Sequence, residues 1–219
     1  MSQLNFGDLL PYWEVFARGL VFTIVLTATS TVAGLALATA GAWARTFGPN
    51  WAGALTRAYV EVIRNTPFIV QLFFIFFGLP AMGVKLTEAE AAFIAMVVNL
   101  GAYSSEIIRA GIEAVPKGLI EAGETLAMSR WQVFRHVVLK PAFMKVYPAL
   151  SSQIVIVMLG SAVVSQISAE DLTYAANFVQ SRNFRAFEVY LVAATLYLML
   201  AIALRAILRG IGRALFPKG

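Results

Sequence analysis

The chain contains no cysteine and a single histidine among its 219 residues. Disulfides and thiolate metal sites are therefore excluded. Charged residues are also scarce, at 13%, whereas hydrophobic residues make up 59% of the chain. No linker rich in proline and serine divides the sequence, so we expect one domain over residues 1–219.

Long runs without charge are the main positive feature of the sequence. Several approach or exceed the ~20 residues that a helix needs to cross a bilayer core, and a soluble helix would keep one polar face. We therefore expect an all-α membrane protein with five transmembrane helices. The first span is expected to direct insertion, because no signal-peptide pattern precedes it. The predicted spans are residues 18–44, 58–80, 88–109, 146–167 and 187–208.

Basic residues are distributed unevenly around these spans. Cytoplasmic segments carry an excess of Lys and Arg, and this bias predicts an N-out, C-in topology. The net charge of +5 is then a topology signal, and we expect membrane lipid rather than nucleic acid as a partner. In this orientation the 17 Lys and Arg are all cytoplasmic except Arg18, Lys85, Arg182 and Arg185.

Polar side chains inside the predicted spans are candidates for a solute path. Asn99 lies near the centre of the third span, where an amide is costly unless it faces other helices or water. Each candidate could equally join helices through a hydrogen bond, so both alternatives stay open. The remaining candidates are Gln71, Tyr103 and Ser161.

Two local features have predictable roles. Pro67 should kink the second span, and the side chains of Asn65 and Thr66 can satisfy the carbonyls that it frees. Glu106 and Arg109 are spaced to pair on one face of the third span.

The segment between the third and fourth spans, residues 110–145, is charged and amphipathic. Apolar residues recur there at helical spacing from Leu119. Ser129 is the predicted N-cap of a second short helix that carries Trp131 and Phe134. Two such helices suit either the lipid surface or the groove of a soluble partner.

Three stretches of the chain resemble a known family. EAGETLAMSRWQVFRHVVLKPA resembles the EAA loop of permease subunits of ATP-binding-cassette importers, and VEVIRNTPFIVQLFFIFFGLP and NLGAYSSEIIRAGIEAVPKG resemble the polar amino acid uptake subfamily. Gly123 replaces the second alanine of the motif, Ala127 stands where glycine is usual, and Pro141 comes one position late. The loop should still fold, because alanine favours a helix more than glycine does.

The resemblance implies a multi-pass permease of the bacterial inner membrane that takes up an amino acid by alternating access. It implies three protein partners: a cytoplasmic ATPase dimer, a second permease that is identical or paralogous, and a periplasmic binding protein. ATP and Mg²⁺ would bind to the ATPase, since this chain has no phosphate-binding loop; no cofactor is expected here. The residues expected to couple to the ATPase are Glu121, Ala122, Gly123, Ala127, Ser129, Trp131, Phe134 and Arg135.

Other functions stay open at this point. A permease for another small solute, such as a peptide, is the nearest alternative, and a passive channel is a more distant one. A channel would need no ATPase, so co-purification of an ATP-binding subunit distinguishes the two. An intramembrane enzyme would need convergent catalytic groups, whereas the one histidine, His136, lies in the predicted loop. We expect no catalytic activity and no metal site.

Overall fold

The structure is a computed structural model that describes residues 4–216. These residues form helices joined by short turns, and no strand occurs among them, which confirms the predicted all-helical class. We number the helices in chain order. They are α1 Gly7–Thr46, α2 Asn50–Arg64, α3 Phe68–Ala81, α4 Glu88–Glu113, α5 Lys117–Thr125, α6 Arg130–Ile167, α7 Leu172–Asn183 and α8 Ala186–Leu215.

Four helices in the described part of the chain are long and apolar enough to cross a membrane: α1, α4, α6 and α8. Helices α2 and α3 meet that criterion only as a pair, and they are bent by 110° where they join. The structure is therefore consistent with four spans, or with five if the bent pair counts as one. The N-out, C-in orientation stays a prediction.

The break between α2 and α3 includes Pro67, whose ring cannot supply a backbone N–H. The Asn65 amide donates to the carbonyl of Glu61, and the Thr66 hydroxyl donates to the carbonyl of Val62, both at 2.8 Å. The carbonyl that the proline leaves without its usual donor is that of Ile63, and it accepts from the backbone N–H of Thr66 at 3.4 Å. The prediction that the side chains of Asn65 and Thr66 satisfy the freed carbonyl is therefore not confirmed, because they bond to the two carbonyls before it. The bend is far larger than a kink, because the helix stops and a new one begins.

Small residues in α1 allow another helix to approach closely. A Cβ atom added to Gly34 would lie 3.0 Å from the side chain of Leu100 in α4, and one added to Gly41 would lie 2.9 Å from the Ser105 hydroxyl. Ala38, on the same part of α1, is completely buried. Close backbone approach of this kind is how helices pack in membranes, where apolar burial gives little driving force.

Helix α4 begins at a capping box. The backbone N–H of Thr87 donates to the Glu90 carboxylate at 2.8 Å, and the backbone N–H of Glu90 donates to the Thr87 hydroxyl at 3.3 Å. Two N–H groups that the first helical turn leaves free are thereby satisfied.

Helix α6 corrects the prediction of a second short helix in the loop. It runs without a break from Arg130 to Ile167, so the helix that follows Ser129 is the beginning of the fourth span. The turn Val133–Val138 has π geometry and comes just before Pro141. A wider turn makes room for the proline ring and tolerates its missing N–H, so the helix continues.

The described residues form two compact units. The first contains the residues up to Ser30, together with Phe68–Met96 and Val155–Ile207; the second contains Thr31–Pro67, Val97–Ile154 and the residues from Leu208 onward. Each has its own buried apolar cluster. The first is centred on Leu172, Val179 and Val189, and the second on Ile108, Phe134 and Val138. The single membrane domain over residues 1–219 stays a prediction.

Candidate functional site

The first candidate region is the coupling segment, which we define as residues 117–138. Helix α5 ends there in a Schellman motif: the N–H of Met128 donates to the carbonyl of Gly123 at 3.2 Å, and the N–H of Ala127 donates to the carbonyl of Glu124 at 2.9 Å. Ala127 has φ 54°, in the left-handed region that favours glycine. The helix propensity of alanine was therefore the wrong argument for Ala127, because the residue lies just beyond the helix.

A capping box begins the next helix. The backbone N–H of Ser129 donates to the Gln132 side chain at 2.8 Å, and the backbone N–H of Gln132 donates to the Ser129 hydroxyl at 3.3 Å. The prediction that Ser129 is the N-cap is confirmed. The Schellman motif and the capping box together fix the turn between α5 and α6 through backbone geometry.

Buried residues hold the coupling segment to the second unit. Val133 and Phe134 are 2% and 1% exposed and belong to the same cluster as Ile108 of α4. A Cβ atom at Gly123 would lie 3.1 Å from a methyl group of Val133. Glycine at this position of the motif therefore lets α5 lie close against α6.

Aromatic rings join the coupling segment to the end of α1. The Trp43 and Trp131 rings meet edge to face with centroids 5.8 Å apart, and Phe47 and Phe134 lie 5.7 Å apart. Trp131 also lies 5.7 Å from Phe134. We call these four residues the aromatic cluster. Such pairs add to the stabilisation that comes from buried area alone.

The outer face of the coupling segment has no apolar cover within residues 4–216. Leu126 is 77% exposed and Leu119 is 45% exposed. Of the other residues predicted to couple to an ATPase, Gly123 and Phe134 are buried, whereas the exposed ones are Glu121, Ala122, Ala127, Ser129, Trp131 and Arg135. The segment thus combines an anchored inner face with an open outer face.

The second candidate region is a cavity of about 560 Å³ in the second unit, which we call the polar cavity. Arg45 forms an ion pair with Glu106, and Arg109 pairs with the same carboxylate at 3.0 Å and with Glu113. The predicted pair of Glu106 and Arg109 is confirmed. The polar and charged residues that line the cavity are Arg45, Arg57, Glu61, Arg64, Asn65, Tyr103 and Glu106.

Three charged side chains of the polar cavity belong to α2 and are exposed: Arg57, Glu61 and Arg64. Within residues 4–216 none of them forms an ion pair within 4.0 Å. The Arg64 guanidinium lies 5.5 Å from the centre of the Tyr103 ring, and the Tyr103 hydroxyl donates to the Arg64 carbonyl at 3.5 Å. Sequence reasoning missed this set, although its i, i+4, i+7 spacing was a readable signal.

The predicted solute-path residues divide between the two units. Tyr103 lines the polar cavity, and Asn99 lies one turn earlier on α4, half-buried. Gln71 is 6% exposed in α3. Ser161 is fully buried, and its hydroxyl donates to the carbonyl of Met158 at 2.7 Å. Of these four residues, Tyr103 lines a cavity, whereas the Ser161 hydroxyl is bonded to a carbonyl of its own helix.

A buried carboxylate in the first unit was also missed. Asp171 is 0% exposed and caps α7, accepting a hydrogen bond from the N–H of Tyr174 at 2.8 Å and another from the Tyr197 hydroxyl at 2.8 Å. Burial raises the pKa of Asp171, although these hydrogen bonds oppose the shift. Tyr197 lies 26 residues away in sequence, so only the fold reveals the contact.

Comparison with known proteins agrees with this architecture. The chain is 32% identical to the glutamine transport system permease protein GlnP of Escherichia coli (strain K12) over 213 residues, 96% of this chain and 97% of the relative. It is 36% identical to the L-cystine transport system permease protein TcyB of Bacillus subtilis (strain 168) over 223 residues, 98% of this chain and 95% of the relative. A crystal structure of an amino acid ABC transporter with histidines has a TM-score of 0.86 and 32% identity, and the match covers 97% of this chain and 99% of that one. The family model for the binding-protein-dependent transport system inner membrane component matches residues 30–217, and this chain belongs to that family.

Proposed function

We propose that this chain is the permease subunit of an ATP-binding-cassette importer that takes up an amino acid delivered by a periplasmic binding protein. The relatives that are named for glutamine and cystine transport, and the amino acid ABC transporter of similar fold, support an amino acid as the solute. In this proposal the chain is not catalytic. A cytoplasmic ATPase dimer binds ATP and Mg²⁺, and a second permease, identical or paralogous, completes the membrane core.

The observation that carries the proposal is the two-sided coupling segment. Val133 and Phe134 anchor it to α4, while Leu126 and Glu121 are exposed on its outer face. An amphipathic helix with an open apolar face suits a groove on a soluble protein. A force applied to this face reaches α4 and α6 through packed side chains, which is what rigid-body alternation of membrane helices requires.

The proposed orientation is N-out, C-in. It makes the coupling segment cytoplasmic, where the ATPase resides, and it agrees with the distribution of Lys and Arg. In this orientation the solute path passes Asn99, with Gln71, Tyr103 and Ser161 as further contributors. These side chains offer hydrogen-bond donors and acceptors without a fixed charge in the hydrocarbon.

Import by a reconstituted complex tests the proposed function. The chain is co-expressed with the ATPase and with the second permease, if that subunit is a paralogue. The complex is then placed in proteoliposomes with the binding protein outside and ATP inside. We expect uptake of a radiolabelled amino acid that requires both ATP and the binding protein. Uptake that continues without ATP would indicate a channel, and uptake of peptides alone would show that the solute is a peptide and not an amino acid.

Cysteine labelling tests the orientation directly, since the chain has no cysteine of its own. Two exposed residues are replaced one at a time, Ser129→Cys in the coupling segment and Glu170→Cys before α7. In intact spheroplasts, a membrane-impermeant maleimide should label the Glu170→Cys protein and spare the Ser129→Cys protein. Labelling of the Ser129→Cys protein but not of the Glu170→Cys protein would show that the topology is N-in, C-out.

A further inference from the structure

Three charged residues of the polar cavity, Arg57, Glu61 and Arg64, lie in α2, outside the coupling segment. We propose that the polar cavity binds a free amino acid by its α-groups, with Arg57 and Arg64 on the carboxylate and Glu61 on the ammonium. This inference rests on the proposed function, because it takes an amino acid as the solute. It adds a binding site on the side of the membrane where the solute is released.

The charge pattern of the cavity separates into a paired part and an open part. Glu106 is paired with Arg45 and Arg109, and Arg109 is also paired with Glu113, so two positive and two negative groups neutralise one another within the second unit. Arg57, Glu61 and Arg64 have no such partner among the described residues. Their spacing places them on one face of α2, and that face borders the cavity.

Two guanidinium groups and one carboxylate are complementary to the ends of an amino acid. Arginine holds a carboxylate through parallel N–H···O bonds, and a glutamate accepts hydrogen bonds from an ammonium group. A phosphate or an anionic lipid headgroup would instead bring negative charge close to Glu61, and this repulsion lowers affinity. The mixture of signs therefore favours a zwitterion over an anion.

The space and the rigidity of the cavity agree with a small polar ligand. Its volume of about 560 Å³ lies within the range of small-molecule sites, roughly 300–1,000 Å³. The Tyr103 ring lies beside the Arg64 guanidinium, and the Tyr103 hydroxyl bonds to the Arg64 backbone. These contacts restrict the arginine before a ligand arrives, which reduces the entropy lost on binding. The three charged side chains are exposed, so a ligand can reach them.

Position along the chain places this site at the release side. Arg45 lies in the last turn of α1 and Glu106 lies in the C-terminal half of α4; in the proposed orientation both helix ends are cytoplasmic. An amino acid that leaves the membrane path would meet the polar cavity before the cytosol. Because the α-groups are common to all amino acids, such a site does not select among side chains.

Binding to the purified permease–ATPase complex, without nucleotide or binding protein, tests the inference. The probes are tritiated L-glutamine, N-acetyl-L-glutamine, which lacks the ammonium group, and L-glutaminamide, which lacks the carboxylate. We expect both analogues to bind to the wild-type complex at least tenfold more weakly than L-glutamine, since each loses charge-assisted hydrogen bonds. Equal binding of all three compounds would overturn the inference without any variant.

Variants locate the site. Arg57→Gln/Arg64→Gln should weaken L-glutamine binding at least tenfold, and Glu61→Gln should weaken it while removing the preference over N-acetyl-L-glutamine. Arg209→Gln, which removes an exposed arginine outside the cavity lining, is the matched control and should leave binding unchanged. Size-exclusion elution with the ATPase shows whether each variant assembles. If a variant does not assemble, the inference is tested by the comparison of the three compounds on the wild-type complex.

Import measured on the same preparations separates the two proposals. A complex that imports an amino acid but fails to bind L-glutamine, or binds it equally well in the double variant, would overturn this inference and leave the proposed function standing. A complex that imports no amino acid would remove both. Binding of phosphatidylglycerol rather than L-glutamine, lost in the double variant, would identify a lipid site and overturn the inference.

Discussion

The rings of Trp43 and Trp131 meet edge to face, with their centroids 5.8 Å apart and their planes at 82°. Trp43 lies near the end of α1, whereas Trp131 lies in the first turn of α6, within the coupling segment. The contact therefore joins a membrane-spanning helix to the surface that we assign to the ATPase. A displacement of the coupling segment must move α1 or break this contact.

Trp131→Ala should weaken that connection. An aromatic pair contributes about 0.5–1.5 kcal/mol beyond its buried area, and the substitution removes two such pairs, with Trp43 and with Phe134. We expect a lower thermal unfolding temperature and reduced stimulation of ATP hydrolysis by loaded binding protein, with assembly retained. Trp131→Phe keeps an aromatic ring and is the control. Unchanged stimulation of ATP hydrolysis in Trp131→Ala would show that the aromatic cluster does not connect the coupling segment to α1 during transport.

Ala127→Gly should stabilise the chain, because glycine adopts the left-handed conformation without the steric cost of a Cβ atom. We expect a gain of about 1 kcal/mol. Ala122→Gly is the matched control: Ala122 is also an exposed alanine but lies inside α5, where glycine costs about 0.5–1 kcal/mol. Thermal unfolding of the two variants should shift in opposite directions. A shift of the same sign in both would contradict the strain assigned to Ala127.

Glu121→Lys should uncouple the transporter. Glu121 is exposed in this chain, and reversal of an exposed charge normally changes stability by less than about 0.5 kcal/mol. In a docked interface the same reversal costs about 2–5 kcal/mol. We therefore expect normal insertion, poor co-purification with the ATPase and loss of substrate-stimulated ATP hydrolysis.

The control for this reversal is Glu170→Lys, an equal change at an exposed glutamate on the opposite side in the proposed topology. It should leave co-purification unchanged. If residues 119–138 instead rested on the anionic inner leaflet, an added lysine at position 121 would strengthen membrane contact. Wild-type recovery of the complex in Glu121→Lys would then remove the coupling assignment.

Asn99→Leu tests the proposed solute path. Leucine has a similar volume but offers no hydrogen bond, and a lost hydrogen bond of about 1.5 kcal/mol corresponds to roughly tenfold. We expect about tenfold slower import, with co-purification of the ATPase unchanged. Normal import would place Asn99 outside the path, whereas loss of assembly would identify its amide as a contact between helices.

The pKa of Asp171 predicts a pH dependence of stability. Because burial raises this pKa in the folded state, folding favours the protonated carboxyl. Stability is then highest below the ordinary Asp pKa, about 3.9, and falls as the pH rises through the raised value, by at most about 1.4 kcal/mol per pH unit. In Asp171→Asn, the thermal unfolding temperature should lose the part of its pH dependence that comes from this carboxyl group. Glu170→Gln, at the exposed neighbour, should keep it, and an equal slope in wild type and Asp171→Asn would contradict the assignment.

Local patterns in the sequence were enough to predict several parts of this architecture. The helical class and the cap at Ser129 depend on residues that are close in sequence, as does the pair of Glu106 and Arg109. The rules for such features involve one helix turn or one cap. The bond between Arg45 and Glu106 joins residues 61 apart, and no local rule reveals it.

Ala127 and α6 show a different limit. Alanine does favour a helix in general. Ala127 nevertheless lies just after the end of α5, where the chain adopts a left-handed backbone conformation. For α6 we expected a short helix after Ser129 and a separate span from residue 146, whereas a π turn precedes Pro141 and the helix continues. Both outcomes depend on where a helix stops, which is the least certain part of any reading from sequence.

The π turn Val133–Val138 also changes how insertions and deletions in this stretch are accommodated. One residue added to an α-helix rotates everything that follows by about 100°, which would turn a buried face toward the outside. Here Phe134, on the turn, and Ala142 and Leu150 beyond it all remain in one buried cluster. A wide turn holds one extra residue without that rotation. The wide turn therefore keeps Ala142 and Leu150 on the same buried side as Phe134, and a chain one residue shorter in this turn could present the same face with an ordinary α-turn.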